Sequence, residues 1–239
     1  MALSDLEIEW FPSTSASADW DRTSTAAPEA AISIALVNGE GERSFVSSRS
    51  LEALYRLPIP SGMDWIHLAG VSEARTLWPK LQACEAPLSV AGSWAPDDLK
   101  WLAGLGGRKL RLVVLNAQEA RTIAPTVERA ADVLRATAVN VVITNGGGRG
   151  VAWFGERRRS VEPAASAQPA VDTTGAGDAF CGGLIAGLSS GESAQTCLEW
   201  ARCCASRVVA QYGGVIERSR FDELRAECSK NVSGQRENR

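Results

Sequence analysis

The sequence predicts an α/β fold: a mainly parallel sheet flanked by helices, with a small β-hairpin lid. Two patterns carry this. From Trp65 onward, short apolar runs alternate with stretches of helical periodicity, the rhythm of a parallel sheet covered on both faces. Ahead of them, two strand-like runs flank Asn38-Gly39, a dipeptide that tolerates the positive φ angles of a tight turn. The 239 residues are 45% hydrophobic and 22% charged, enough chain for a sizeable core. Residues 1–239 read as a single α/β domain.

The first thirty residues are rich in Ser, Thr, Ala and Asp and show no pattern that demands a core element. Residues 31–37 read as a strand and 43–46 as its return, so that 31–46 forms a lid-like hairpin; an ordinary edge hairpin fits the pattern as well. If Ile32, Ile34 and Leu36 find no cover in their own domain, the hairpin should pair with a second copy as a homodimer. Strands follow at 65–69, 88–91, 110–115 and 139–144, and Val127, Ala130, Ala131 and Leu134 mark one face of a helix between the last two. A small-residue helix runs through Cys181, Gly182, Leu184, Ile185 and Leu188. Next, Ala194, Cys197, Leu198, Ala201, Cys204, Ala205 and Val208 keep helical spacing until Gly213-Gly214 stops them. Beyond Glu217 the mixed charges suggest one more surface helix and a frayed tail.

Composition excludes several functions. A net charge of −3 gives nucleic acid no bulk electrostatic reason to bind. No apolar run is long enough to cross a membrane, and the start lacks the charge and apolar core of a signal peptide. A cytoplasmic protein is expected. The six cysteines form no Cys-x-x-Cys and have one histidine, His67, to help them, which argues against zinc and against a disulfide framework. They read as small buried hydrophobes. His67, at a strand end, reads as structural, satisfied by backbone hydrogen bonds, and leaves no spare imidazole for a Ser-His-Asp mechanism. Arg157-Arg158-Arg159, between two short strands, reads as a solvated hairpin more than as a phosphate clamp.

The informative run is Asp172-Thr173-Thr174-Gly175-Ala176-Gly177-Asp178-Ala179-Phe180, between a strand-like Ala170-Val171 and the small-residue helix. First-turn N–H groups have no intrahelical partner, and the helix dipole adds partial positive charge there. Residues without bulky side chains let a phosphate approach that backbone. A carboxylate in the same turn is wrong for simple phosphate binding but right for taking a proton from an attacking hydroxyl. A Gly-x-Gly-Asp alone also describes an Asp helix cap beside a flexible turn. The full string, however, resembles the C-terminal signature of the PfkB (ribokinase-like) carbohydrate kinases.

That resemblance implies that Gly175, Ala176 and Gly177 form an anion hole and that Asp178 is the catalytic base. It implies a monovalent cation, K+, beside Asp172 and Thr174. Asn116-Ala117-Gln118-Glu119 is similar to the family's Asn-x-x-Glu motif, with Asn116 and Glu119 organising Mg2+ and its water around the phosphates. By itself, this spacing also describes a helix start with its cap. Residues 142–150 are similar to the family's strand and Thr-x-Gly loop, which would put Thr144, Gly146 and Gly150 against the nucleotide. No Gly-Lys-[Ser/Thr] follows, so this is not a Walker loop. The loop at Gly213 would flank the adenine and cation sites.

The resemblance covers about residues 30–225 by order of elements. The family's N-terminal substrate strand and its Gly-Gly motif have no counterpart, since no Gly-Gly precedes Gly106-Gly107. The strand at 88–91 leads into Gly92-Ser93-Trp94 where the family often has an acidic residue. The implied function is an ATP-dependent kinase that transfers the γ-phosphate to a hydroxyl of a sugar or similar small polyol. Two alternatives stand beside it: a nucleoside or vitamin-precursor kinase of the same superfamily, and a catalytically impaired nucleotide-binding or regulatory relic.

Overall fold

In the computed structural model the described residues are 32–37, 43–48, 51–56, 58–59, 61–163, 170–214, 216, 223, 224 and 228. They form β1 (Ile32–Val37), β2 (Arg43–Ser48), α1 (Leu51–Arg56), β3 (Ile66–Leu68), α2 (Val71–Leu81), β4 (Leu88–Ala91) and α3 (Pro96–Ala103). These are followed by β5 (Leu110–Asn116), α4 (Ala117–Ile123), α5 (Val127–Leu134), β6 (Ala138–Asn145), β7 (Gly148–Phe154), β8 (Arg157–Val161), α6 (Ala176–Ser189) and α7 (Ala194–Val209). Two compact units result. The smaller holds β1, β2, α1 and the end of α2 from Thr76; the larger holds the remaining described elements.

In the smaller unit, β1 and β2 pair antiparallel as a two-stranded sheet, the hairpin that the Asn-Gly turn predicts. The turn and all of the N-terminal thirty residues lie outside the described residues, as does nearly all of the segment after Glu217. In the same unit the Lys80 ammonium sits 4.6 Å from the centre of the Tyr55 ring.

The larger unit is built on a six-stranded sheet in the order β3-β4-β5-β6-β7-β8. The first four strands are parallel, and β7 and β8 add antiparallel. The reason lies in the connections. Helical crossovers return the chain for a parallel strand, whereas Gly146 (φ 54°) lets β6 turn straight back into β7. Gly146 and Gly147 therefore form the tight turn, and Gly148 and Gly150 lie in β7. The three arginines are solvent-exposed in a hairpin, as the sequence suggests, though in its second strand and not its turn. The β7–β8 turn is Gly155-Glu156, and Arg157, Arg158 and Arg159 lie in the edge strand β8 itself, all exposed. An edge strand exposed in this way tolerates consecutive charges, which also deter pairing with other chains.

One face of the sheet presents Ala91, Leu112, Val114, Val142, Ala152 and Val161 to Phe180, Cys181 and Leu184 of α6 and to Cys197, Leu198, Ala201 and Ala205 of α7. The two helices approach closely because α6 is notched. A Cβ on Gly183 would lie 2.7 Å from the Ala201 Cα, and one on Gly187 would lie 2.8 Å from the Cys197 Sγ. The α5 stripe is as the periodicity predicts, with Ala130, Ala131 and Leu134 fully buried. The end of α7 is not. It stops at Val209, before Gly213-Gly214, because Ala210 closes it and the chain then turns to meet Asp172. Among the described cysteines, all are free; five are buried and Cys84 is half-buried. Burial and nearby negative charge push the thiols of Cys181 and Cys197 up to about 12 and about 11, so both are inert.

Candidate active site

The carboxyl ends of β3, β4, β5 and β6 lie side by side, where ligands collect in sheets of this kind. Register places Asn116, the last residue of β5, directly beside Thr144 of β6. Asn116 also caps α4. Its Oδ1 accepts from the Glu119 N–H at 2.9 Å, and its own N–H donates to Glu119 Oε2 at 2.9 Å. The Asn-x-x-Glu spacing is thus a capping box, and it has a second effect: it holds Glu119 buried, and burial raises the carboxyl's pKa against the lowering from its Asn116 bonds.

Sequence reasoning missed what makes room for that carboxyl. Gly92, just past β4, leaves empty the position that Glu119 fills; a Cβ there would stand 2.0 Å from Glu119 Oε2. The available signal was a glycine immediately after an apolar strand. Beside it, among the described residues, Ser93 Oγ is buried without a hydrogen-bond partner.

The Gly-Ala-Gly-Asp string forms the start of α6. Gly175 is the N-cap, at φ 75°, and no side chain caps the helix; the Ala176 N–H donates to the Thr173 carbonyl at 3.4 Å, and Gly177 and Asp178 follow in the first turn. A Cβ on Gly175 would meet the Gly214 carbonyl oxygen at 2.4 Å. Positive φ and this contact both require glycine. Asp172 completes the joint. One carboxylate oxygen accepts from the Thr174 N–H at 2.9 Å and the other from the Gly213 N–H at 3.1 Å. Asp178 lies in the first turn of α6, and the residue is exposed, yet the protein around its carboxyl removes enough water to raise its pKa. Cys181, one turn further on, lies in the field of both Asp178 and Glu119, which places the two carboxylates in one neighbourhood.

The expected residues therefore divide into three sets. Asp172, Thr174, Gly175 and Gly213 are joined by contact; Asn116, Glu119 and Thr144 stand at adjacent strand ends; and Asp178 relates to Glu119 across Cys181. Ala176 and Gly177 are the first two residues of α6. Gly150 stands apart: it lies within β7, and a Cβ there would meet the Ile143 carbonyl at 2.1 Å, so strand packing alone requires glycine. His67 is structural in a different way than expected. Trp65 Nε1 donates to Ser89 Oγ at 2.7 Å, and the same Ser89 Oγ is hydrogen-bonded to His67 Nδ1 at 2.8 Å. Burial lowers the His67 pKa to about 4. Arg202 of α7 pairs with Glu199 of the same helix at 2.8 Å and ties α7 to the chain leaving β8 by donating to the Pro163 carbonyl at 3.1 Å.

Among the described residues, no group of three or more His, Cys, Asp or Glu side chains could hold a metal ion, and no helix is long and apolar enough to cross a membrane. The sheet with its flanking helices matches solved kinases in fold. A probable sugar kinase from Rhizobium etli aligns with a TM-score of 0.65 at 20% identity, over 88% of this chain and 68% of its own. An adenosine kinase from Sinorhizobium meliloti aligns at 0.66 and 19%, over 85% and 67%. A ribokinase from Thermotoga maritima aligns at 0.61 and 16%, over 84% and 71%. In sequence, 113 residues are 37% identical to the acarbose 7(IV)-phosphotransferase of an Actinoplanes species, a match that takes in 45% of this chain and only 37% of that relative. Residues 82–219, more than half of the chain, match the pfkB family of carbohydrate kinases, and they contain both the capped Glu119 and the glycine turn clamped by Asp172. The chain belongs to the pfkB carbohydrate kinase family.

Proposed function

We propose that this chain is an ATP-dependent kinase that transfers the γ-phosphate to a hydroxyl of a sugar or similar small polyol. The carrying observation is the start of α6, where a first turn without a side-chain cap carries a carboxylate of raised pKa. The N–H groups of Gly177 and Asp178 suit the charge that accumulates on a phosphoryl group in transfer. Asp178 takes the proton of the acceptor hydroxyl as its oxygen bonds to phosphorus, and a raised pKa makes it a better base. The relative that acts on acarbose supports a carbohydrate acceptor, whereas the adenosine kinase shares the fold at an identity too low to speak for its substrate.

Magnesium fits Glu119. One of its oxygens is held by Asn116 N–H, and a hard cation that keeps most of its waters needs few protein ligands beyond one carboxylate. Bound there, it would offset phosphate charge. Potassium would sit on the Asp172 side, where a carboxylate is held in place by the Thr174 and Gly213 N–H groups. On this reading the nucleotide lies along Thr144, Gly146 and Gly213.

The test is calorimetric titration with ATP and Mg2+, with and without K+, followed by ATP turnover across sugars, polyols and nucleosides, for the unsubstituted chain and Asp178→Asn. Asparagine keeps the shape of the side chain but cannot take the proton. Turnover should fall by roughly 10²–10⁴-fold with nucleotide affinity nearly unchanged. Turnover that survives the substitution removes Asp178 as base, and nucleotide binding without any turnover points to the relic.

A further inference from the structure

Trp94 is 69% exposed, an unusual position for an indole. It is not on a loose segment. Ala95 N–H donates to the Ser93 carbonyl at 2.7 Å, and Pro96 opens α3 with its fixed φ, so the backbone on the C-terminal side is held. On the other side Gly92 N–H donates to the Val114 carbonyl at 2.8 Å, and the Gly92 backbone lies against the Glu119 carboxyl. A rigid loop thus presents an aromatic face to solvent at the carboxyl end of β4, next to the candidate magnesium ligand.

Strand order says which half of the site this is. The ends of β4 and β6 flank the end of β5, with Asn116 and Glu119 between them. The residues read above as nucleotide contacts, Thr144 and Gly146, are on the β6 side. Trp94 is on the other. The immediate neighbours of Trp94 also narrow the chemistry. Gly92, Ala95 and Pro96 carry no side-chain hydrogen-bonding group, and the Ser93 hydroxyl is buried. A nucleobase is read through polar groups along its edge, which this loop does not offer. The C–H-lined face of a saturated ring needs only an apolar, electron-rich surface, with its hydroxyls left free to point elsewhere.

From this arrangement we infer that Trp94 is the platform on which the acceptor lies, and that the acceptor is a pyranose- or cyclitol-type ring. This rests on the kinase reading above. The experiment measures binding of methyl α-D-glucopyranoside, myo-inositol, acarbose and inosine by calorimetry, each in the presence of Mg2+ and a non-hydrolysable ATP analogue, to the full chain and to Trp94→Ala and Trp94→Phe. Because Trp94 is exposed, both variants should stay folded, which circular dichroism checks. At least one of the three saturated-ring probes should bind, with its Kd raised about threefold to tenfold in Trp94→Ala and partly recovered in Trp94→Phe. Analogue affinity should be the same in all three proteins. The inference is overturned if none of the three ring probes binds the unsubstituted chain, if Trp94→Ala leaves their Kd unchanged, or if inosine alone is weakened. Failure of the analogue itself to bind refutes the kinase reading instead, so the two failures are told apart.

Discussion

Replacing Gly92 with alanine puts a methyl group where Glu119 now keeps its carboxyl. The new Cβ would stand 2.0 Å from Oε2, 2.6 Å from Cδ and 2.8 Å from the Leu115 Cδ2. None of these distances is tolerable for atoms that prefer to stay about 3.5 Å apart or more. The glutamate is the flexible partner, so it should leave. The bond from Asn116 N–H to Oε2 then breaks, while the reciprocal bond from Glu119 N–H to Asn116 Oδ1 can persist. A hydrogen bond to a charged group contributes about 1.5–3 kcal/mol. Crowding at Leu115 adds to the loss, and rehydration of a carboxylate whose pKa burial had raised offsets part of it. Unfolding free energy should fall by about 1–3 kcal/mol, and magnesium-dependent nucleotide affinity should fall as far as it does in Glu119→Ala. Chemical denaturation and calorimetry of Gly92→Ala, Glu119→Ala and the double variant decide the matter. With Glu119 shortened, the alanine at 92 meets only Leu115, so the double variant should cost less than the sum of the two by about 1 kcal/mol or more. Simple additivity would refute the account.

Two further substitutions test the same physics elsewhere. Gly175→Ala forces an L side chain to φ 75° and a Cβ to 2.4 Å from the Gly214 carbonyl, a backbone atom that cannot swing away. Stability should drop by about 2 kcal/mol or more, read as a lowered denaturation midpoint, together with nucleotide affinity; an unchanged midpoint would show that the 213–214 segment yields freely. His67 is held neutral in the fold with a pKa of about 4 against 6.5 in the open chain. Below pH 6.5 only the unfolded state takes up that proton, so His67 contributes a loss of stability that grows as pH falls and levels off near pH 4, about 3 kcal/mol in all. Denaturation of the unsubstituted chain and of His67→Gln between pH 7 and 4 should show the shallower slope in the variant, and equal slopes would contradict this.

What could be read from the chain and what could not differ in range. The strands at 88–91 and 110–116 and the α5 stripe are legible because their apolar residues are close in sequence and repeat with the element's own period. The string at 172–178 is legible because helix start, glycines and carboxylate lie within seven residues. β8 escapes because three arginines mask its alternation, and the sheet supplies the pairing that the side chains do not advertise. The end of α7 is misplaced because Ala210 is no obvious stop, whereas a distant Asp172 draws the following backbone away. Gly92 is silent for the same reason. Its meaning depends on a glutamate twenty-seven positions later, reached only once β4 and β5 are paired.

A sequence motif is usually treated as portable, a string that carries its property wherever it is copied. The turn at Gly175 argues otherwise. It is shaped by two pieces of chain forty-one residues apart, with Asp172 bonded to Gly213 and Gly175 seated on Gly214. α6 and α7 form the spacer that sets the distance between the pieces, and the glycine notches on α6 fix how closely the helices lie. Cutting the chain after Val209 would leave every letter of the 172–180 string in place and take away one jaw of the vice. Lengthening the α6–α7 connection, or filling the notch at Gly183, would shift that jaw. The shape of this turn therefore depends on the packing of two whole helices, most of whose residues lie far from it in sequence.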